Sequence, residues 1–201
     1  MSRTLFYVII GYLSGSILYA RVFEKLFHKE NMIDGSKDGN PGTANAYMNG
    51  GFWCGTLVLL CDICKGALPV FLYFHMVETP GIFVIPVMVA PVLGHAFSVF
   101  DHFKGGKCIA VSFGVLLGLF PDLVPALILA FFYILFSAVR ISPHSRRTFV
   151  SFMCASVAAL FLVEEKAVVV SIWIIAVIVQ SKHIIEDRER LTCGEEPVKV
   201  K

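Results

Sequence analysis

Residues 91–107 read PVLGHAFSVFDHFKGGK, and this stretch joins an apolar segment to a short basic loop. His95 lies near the end of the apolar part, and spaced phenylalanines lead on to Lys104, Gly105, Gly106 and Lys107. Paired glycines lack a Cβ and let backbone N–H groups approach a ligand, while the lysines add positive charge. We expect a site for a phosphate-sized anion where a membrane helix meets water. A basic loop that only closes a membrane turn is the alternative.

The composition is that of an integral membrane protein. Of the 201 residues, 57% are hydrophobic, and the mean hydropathy is +0.76. The apolar residues form long runs, which indicate membrane helices rather than a soluble core. The net charge of only +2 argues against a nucleic-acid partner. The pair Cys61 and Cys64 lies inside an apolar run, so the spacing favours buried small side chains over a redox or zinc pair.

Seven apolar segments are expected to form helices: 5–22, 52–74, 82–100, 109–120, 123–139, 149–162 and 168–180. The fourth and fifth are shorter than the ~20 residues that a full crossing needs, so we predict short helices that are tilted or partly interfacial. No internal repeat and no cleavable signal peptide is evident. We therefore predict one all-α membrane domain over residues 1–201 with about seven transmembrane helices.

Lysine and arginine fall mainly into alternate loops. The loops after the first, third, fifth and seventh segments hold most of the chain's 17 lysines and arginines. The positive-inside rule places these loops in the cytoplasm, with the N-terminus outside and the C-terminus inside. All candidate polar sites then share the cytoplasmic face.

A second glycine-rich loop, residues 35–45, reads GSKDGNPGTAN. Glycine, asparagine and proline at this density force turns and can present consecutive N–H groups as an anion-binding nest. An ordinary polar connector is the other interpretation. Asp38 counts against a simple phosphate cradle, because it brings negative charge into the nest.

Polar residues inside or just beyond the apolar segments are further candidates. Asp62 and Lys65 share one helix face, and each charge costs at least ~2.5–3.5 kcal/mol at mid-membrane. They are expected to pair structurally, to hold the first loop or to contact substrate. His95 can be a satisfied buried group or part of the site. The loop 140–147 and the tail beyond residue 181 can be topogenic and solvated, or can supply phosphate ligands.

Several enzyme classes find no support in the sequence. We see no nucleophile elbow, no His-x4-Asp pair and no convincing metal-ligand spacing. What remains is a membrane protein with two anion-suited loops on one face. Such a site would bind a phosphorylated molecule beside a lipid chain.

The motifs resemble those of the PlsY-type acyl-phosphate:glycerol-3-phosphate acyltransferases, small bacterial integral membrane enzymes with seven spans and three cytoplasmic motif loops. The resemblance runs nearly end to end, and the stretch 94–107 is its most specific block. The other blocks are Gly15-Ser16, Gly39-Asn40-Pro41-Gly42 with Ala44-Asn45, Asp62-x-x-Lys65-Gly66, His183, and a looser match over 190–196.

The resemblance implies transfer of a fatty acyl group from acyl phosphate to the 1-hydroxyl of sn-glycerol 3-phosphate, giving lysophosphatidic acid and phosphate. It implies no cofactor or metal, and a location in the bacterial cell membrane with a cytoplasmic active site. The catalytic residues that it indicates are Lys104, His183 and His95. The substrate- or phosphate-binding residues are Asn40, Gly42, Asn45, Lys65, Gly105, Gly106, Lys107, Ser142, Arg190 and Glu196. The acceptor's own phosphate can take the proton, with His95 or His183 as the fallback base.

The chain departs from the family pattern at several positions. Asp38 stands where the family usually has serine, and Met48 where it usually has arginine. A charge-assisted hydrogen bond is worth ~1.5–3 kcal/mol, so each change should weaken binding of a phosphate dianion by more than about tenfold if buried. Lys37 can replace the missing arginine, Cys108 replaces a glycine, and Arg146-Arg147 look inserted. A different acceptor, or a non-catalytic membrane binding or transport protein, therefore remains an alternative.

Overall fold

Helices make up the fold of the computed structural model, which describes residues 2–36, 38–77 and 81–192, without the side chains of residues 2 and 186–192. The helices are α1 (Ser2–Ser16), α2 (Tyr19–Leu26), α3 (Thr43–Asn45), α4 (Phe52–Met76), α5 (Val84–Ala96), α6 (Ile109–Leu117), α7 (Val124–Ala138), α8 (His144–Leu162) and α9 (Lys166–Thr192). The turn Ala46–Gly50 continues α3 as a π-helix. All seven predicted apolar segments contain helix.

The first predicted segment, 5–22, is wrong as one continuous helix. The chain leaves the helix after Ser16 and re-enters it at Tyr19, with a bend of 43° between α1 and α2. The break releases two carbonyl groups from the helical hydrogen-bond pattern. The carbonyl of Ser16 accepts from the Ser98 hydroxyl, and that of Ile17 accepts from the Lys65 ammonium at 2.6 Å. Side chains from two later elements therefore stabilise the bend.

Among the described residues, four helical segments are long and apolar enough to cross a membrane, and α1 with α2 makes a fifth if the bent pair is one span. The four are Phe52–Met76, Gly81–Asp101, His144–Leu162 and Lys166–Ile185. The two segments predicted to be short form α6, with 9 residues, and α7, with 15. Seven full crossings, the orientation and a single domain over residues 1–201 stay predictions.

Two predicted boundaries differ from the structure because hydropathy marks where apolar character ends, not where a helix ends. The last segment was expected to stop at Gln180, but α9 continues to Thr192, so Lys182 and His183 lie on a helix. Residues 140–147 were expected to form a loop, but α8 begins at His144. Good helix formers such as glutamate and arginine extend α9 without adding apolar surface.

Close packing around α5 positions the candidate residues. A Cβ on Gly15 would overlap the backbone of Pro91, and one on Gly94 would overlap the carbonyl of Tyr12, so α1 and α5 lie in backbone contact. Gly66 and Gly114 allow the same close approach between α4 and α6. Small residues at helix interfaces serve this purpose in membrane proteins. The packing brings α4, α5 and α6 together around the candidate residues.

We expect Gly15→Val to destabilise the protein by about 1–3 kcal/mol or more, because overpacking forces α1 away from α5. Thermal unfolding in detergent measures the effect. Leu13→Val is the matched control, since Leu13 is exposed and lies two residues away on the same helix. An equal melting temperature for the two variants would contradict the close contact.

Candidate active site

A cavity of about 610 Å³ opens among the first glycine-rich loop and helices α4, α6, α8 and α9. The polar residues of its lining include Asp38, Asn40, Asn45, Lys107 and His183. The apolar residues include Leu59, Ile109, Ala110 and Phe113. This mixed lining suits a molecule with a charged part and an apolar part.

Asn45 organises the first glycine-rich loop. Its side-chain amide donates to the Asp38 carboxylate at 2.6 Å, to the Asn40 carbonyl at 2.9 Å and to the Ser36 hydroxyl at 2.9 Å. Gly42 also lines the cavity, and its N–H donates to the Asn40 carbonyl at 2.8 Å. The structure thus brings Asn40, Gly42 and Asn45 together at the cavity wall, and their contact with substrate stays a prediction.

An ion pair between Asp38 and Lys107 connects the two glycine-rich loops. The Lys107 ammonium lies 2.6 Å from the Asp38 carboxylate. Burial opposes ionisation of Asp38, but hydrogen bonds from Lys107 and Asn45 outweigh it and lower the pKa of Asp38 to about 2. Asp38 is therefore a carboxylate at neutral pH. Its contribution to stability is complete above the ordinary pKa of about 3.9 and is lost as the pH falls towards 2.

Gly105 and Gly106 were expected to bring the backbone close to a ligand, but in the structure they lie against His95 at the end of α5. The Gly106 N–H donates to the His95 carbonyl at 3.0 Å, so it serves the end of α5 rather than a ligand. A Cβ on Gly105 would overlap the same carbonyl, and one on Gly106 would lie 2.5 Å from Nε2 of His95. Lys104 is exposed and lies outside the cavity wall, in a turn closed by its hydrogen bonds with Ser98 and Asp101. Lys107 alone of the two lysines reaches the cavity.

Lys65 lies behind the cavity in a buried polar cluster. Its ammonium lies 2.7 Å from the Asp62 carboxylate, 2.6 Å from the Ile17 carbonyl and 2.8 Å from Nδ1 of His95. Asp62 and His95 line the cavity, whereas Lys65 does not. Of the interpretations left open by the sequence, the structure shows the pairing of Asp62 with Lys65.

The end of the cavity formed by α7, α8 and α9 holds residues that sequence reasoning missed. Tyr133 and His144 line it together with the predicted His183. The Tyr133 hydroxyl lies 3.3 Å from Nε2 of His144, and the rings of His144 and His183 lie 5.7 Å apart. Tyr133 sits in an apolar run without any motif, so no sequence signal could have identified it. His144 was noted only as part of a basic loop.

The structure does not place the other three predicted residues, Ser142, Arg190 and Glu196, at the cavity. Ser142 is exposed and does not line the cavity, although its neighbours Pro143 and Ser145 do. Arg190 lies on α9, but its side chain is not among those described. Glu196 lies outside the described residues.

Three departures from the family pattern lie at the cavity: Asp38, Met48 and Cys108 all line it. Met48 is 72% exposed, so a charged side chain at this position would reach the cavity without burial. Cys108 has φ +64°, in the left-handed region that favours glycine. The usual glycine at this position therefore has a conformational reason, and Cys108 adopts the same backbone conformation with a side chain.

The fold and the cavity define a helical integral membrane protein with a ligand-sized cavity lined by polar and apolar side chains. The sequence model of a family described as "Glycerol-3-phosphate acyltransferase" matches residues 5–193. This chain belongs to the glycerol-3-phosphate acyltransferase family. The match confirms the resemblance seen in the motifs, and the helices of the structure confirm the all-helical class.

Individual relatives agree with the family match. The glycerol-3-phosphate acyltransferase of Legionella pneumophila strain Philadelphia 1 is 33% identical over 198 residues, covering 98% of this chain and 69% of the relative. That of Photobacterium profundum is 38% identical over 129 residues, covering 64% of this chain and 63% of the relative. A Lactococcus lactis relative, strain IL1403, is 37% identical over 139 residues, covering 67% of this chain and 63% of the relative. The chain thus spans less than two thirds of the latter two relatives.

Two solved structures share the fold along nearly the whole chain. Both are crystal structures of PlsY, an integral membrane glycerol 3-phosphate acyltransferase, one in its glycerol 3-phosphate form and one in its lysophosphatidic acid form. The first has a TM-score of 0.81 at 27% identity, and the second 0.80 at 28% identity. Each alignment covers 97% of this chain and 94% of the other.

Replacing Asp38 by serine is expected to raise the affinity of the purified protein for inorganic phosphate by about 10- to 150-fold, the equivalent of a charge-assisted hydrogen bond. The Asp38 carboxylate pairs with Lys107, and its removal takes away the negative charge that competes with an anion at this ammonium. Titration calorimetry with phosphate measures the change. Asp34→Ser removes the same charge from an exposed position and is the matched control. Equal affinities in the two variants would show that Asp38 does not compete with phosphate.

Proposed function

We propose that this protein is an acyl-phosphate-dependent glycerol-3-phosphate acyltransferase that makes lysophosphatidic acid for phospholipid biosynthesis. The acceptor's hydroxyl oxygen attacks the acyl carbonyl carbon, and the bond from that carbon to the phosphate oxygen breaks. Phosphate leaves with the electron pair of that bond. The hydroxyl proton passes to a phosphate oxygen of the acceptor or of the leaving group.

The cavity carries the proposal, because polar and apolar side chains line one ligand-sized space. Its volume of about 610 Å³ lies in the range of small-molecule sites. Lys107, Asn40 and Asn45 can meet phosphate oxygens, while Phe113 and Leu59 can meet the acyl chain next to the carbonyl. Donor and acceptor would thus meet inside this space.

Family membership supports the same reaction. The PlsY structures named above are described in forms with glycerol 3-phosphate and with lysophosphatidic acid, which correspond to the acceptor and the product of this reaction. They share the fold over 97% of this chain.

The proposed reaction does not require a covalent intermediate on the protein. An acyl phosphate is a mixed anhydride with a good leaving group, so positioning two substrates and stabilising developing charge can supply most of the rate. We assign phosphate binding to Lys107, acceptor placement to His183, and a supporting role at the cavity entrance to the exposed Lys104. Tyr133 and His144 face the same space and extend its polar surface.

We further propose a bacterial cell-membrane location with the cavity open to the cytoplasm. Lys107, the first glycine-rich loop and the start of α8 all line the cavity. The excess of lysine and arginine at the loops on this side favours the cytoplasmic orientation.

Purified protein supplied with palmitoyl phosphate is expected to release phosphate only when glycerol 3-phosphate is present, with formation of lysophosphatidic acid. Phosphate release and lipid chromatography measure the two products. Release without glycerol 3-phosphate would indicate another acceptor or hydrolysis. No release from folded protein would favour a non-catalytic binding or transport function.

Lys107→Ala and Lys104→Ala are each expected to abolish transfer, through loss of a phosphate contact for Lys107 and of positive charge at the entrance for Lys104. Lys25→Ala, at an exposed position on α2, is the control and should retain activity. Full activity of Lys107→Ala would remove it from the phosphate site. Full activity of Lys104→Ala would agree with its position outside the cavity wall and would overturn its predicted catalytic role.

A second candidate keeps the donor but uses a different acceptor, and the ion pair of Asp38 with Lys107 favours it. The carboxylate lies where a phosphate dianion would need a cation, and Met48 supplies no charge at a cavity position where the family usually has arginine. An acceptor with fewer negative charges would meet less repulsion at this wall.

Asp38→Ser combined with Met48→Arg is expected to lower the KM for glycerol 3-phosphate by about tenfold or more, because it removes an anion and adds a cation at the cavity. Steady-state kinetics at saturating donor measure the change. Asp34→Ser with Met76→Arg, at exposed positions outside the cavity, is the control pair. An unchanged KM would favour a different acceptor.

A further inference from the structure

The two ring nitrogens of His95 have different surroundings. Nδ1 lies 2.8 Å from the Lys65 ammonium, which is outside the cavity wall. Nε2 lies across the ring from Nδ1, beside the α-carbon of Gly106. His95 lines the cavity, and Nε2 has no hydrogen-bond partner among the described residues although it is not among the fully buried atoms that lack one. Nε2 is therefore the ring nitrogen with access to the cavity.

The partners of Lys65 define its charge and the direction of its hydrogen bonds. An ammonium has three N–H protons and no lone pair, so it can only donate. It has two hydrogen-bond acceptors here, the carbonyl of Ile17 and Nδ1 of His95, and a carboxylate oxygen of Asp62 lies 2.7 Å away as its ion-pair partner. The Tyr19 ring, 5.5 Å from the ammonium, adds a contact that favours a cation. Nδ1 of His95 must therefore accept, and it carries no proton.

We propose that Lys65 locks His95 in the neutral tautomer with the proton on Nε2, so that His95 donates a hydrogen bond into the cavity and does not act as a base. A neutral imidazole carries one proton, and the Lys65 contact leaves it only the Nε2 position.

This assignment gives His95 a catalytic role, while Lys65 and Asp62 are positioning residues. The identity of the hydrogen-bond acceptor rests on the reaction proposed above. In that reaction, Nε2–H donates to the acyl carbonyl oxygen, where negative charge develops during attack. His95 neither gains nor loses a proton. The proton of the acceptor hydroxyl goes to a phosphate oxygen, and the fallback role of His95 as general base is removed.

Nitrogen-15 NMR of histidine-labelled, full-length protein in nanodiscs tests the tautomer without any substrate. Protonated and unprotonated ring nitrogens of a neutral imidazole resonate in separate regions, and the His95 signals are those missing from His95→Gln. We expect a protonated Nε2 and an unprotonated Nδ1. A protonated Nδ1, on a neutral or a charged ring, would overturn the proposal.

The double variant Asp62→Asn with Lys65→Met tests the positioning role, because it removes both buried charges and leaves neither unpaired. We expect a mixture of the two His95 tautomers in this variant. Persistence of the Nε2–H form alone would show that Lys65 does not set the tautomer. Thermal unfolding confirms that the compared proteins are folded, and the wild-type spectrum decides the tautomer if the variant does not fold.

The kinetics of acyl transfer distinguish a hydrogen-bond donor at His95 from a general base. His95→Leu is expected to lower kcat by about 10²- to 10³-fold, as for loss of one oxyanion donor, whereas His95→Gln, which keeps an N–H donor, should stay within about tenfold of wild type. His75→Leu and His75→Gln, at an exposed position on α4, are matched controls. Equal losses in the two His95 variants would indicate a base and contradict the proposal. An inactive wild type would reject the proposed function, while the NMR result would still decide the tautomer.

Discussion

The buried ammonium of Lys65 is the constraint on which the arrangement of α1, α2, α4 and α5 depends. A buried charge needs polar partners, and those of Lys65 come from three places: α4 itself, the break after α1 and the end of α5. The bend between α1 and α2 supplies the Ile17 carbonyl that a continuous helix would have withheld. The same contact orients His95 at the cavity, so one polar cluster links the shape of the bundle to its chemistry.

The apolar pattern predicted the helices because the free energy of transfer to lipid depends only on the side chains within each segment. It could not predict the bend at Ile17, which depends on side chains that lie far along the chain. It also could not place the end of α9, since helix propensity continues into the charged residues after Gln180. Hydropathy thus gave the helical class correctly and the ends of individual helices less well.

At the site, the sequence predicted residues that belong to local glycine-rich motifs, such as Asn40, Asn45 and Lys107. The structure places these three at the cavity. Tyr133 could not be found in this way, because only the packing of α7 brings it there. Asp38 was recognised from the sequence as a negative charge that disfavours phosphate in the loop. Its ion-pair partner Lys107 could not be predicted, because it lies 69 positions away. The glycine pair was recognised as a close-approach motif, yet the approaching group is the end of α5.

The nine-residue length of α6 has a consequence for the surrounding lipid. At 1.5 Å per residue this helix is about 14 Å long, roughly half the hydrocarbon thickness of a bilayer. This helix contributes Ile109 and Phe113 to the apolar lining of the cavity. A membrane helix shorter than the hydrocarbon thickness is accommodated by local thinning of the bilayer. For a ligand that enters from the bilayer, the supply depends on its mole fraction in the lipid rather than on its concentration in water.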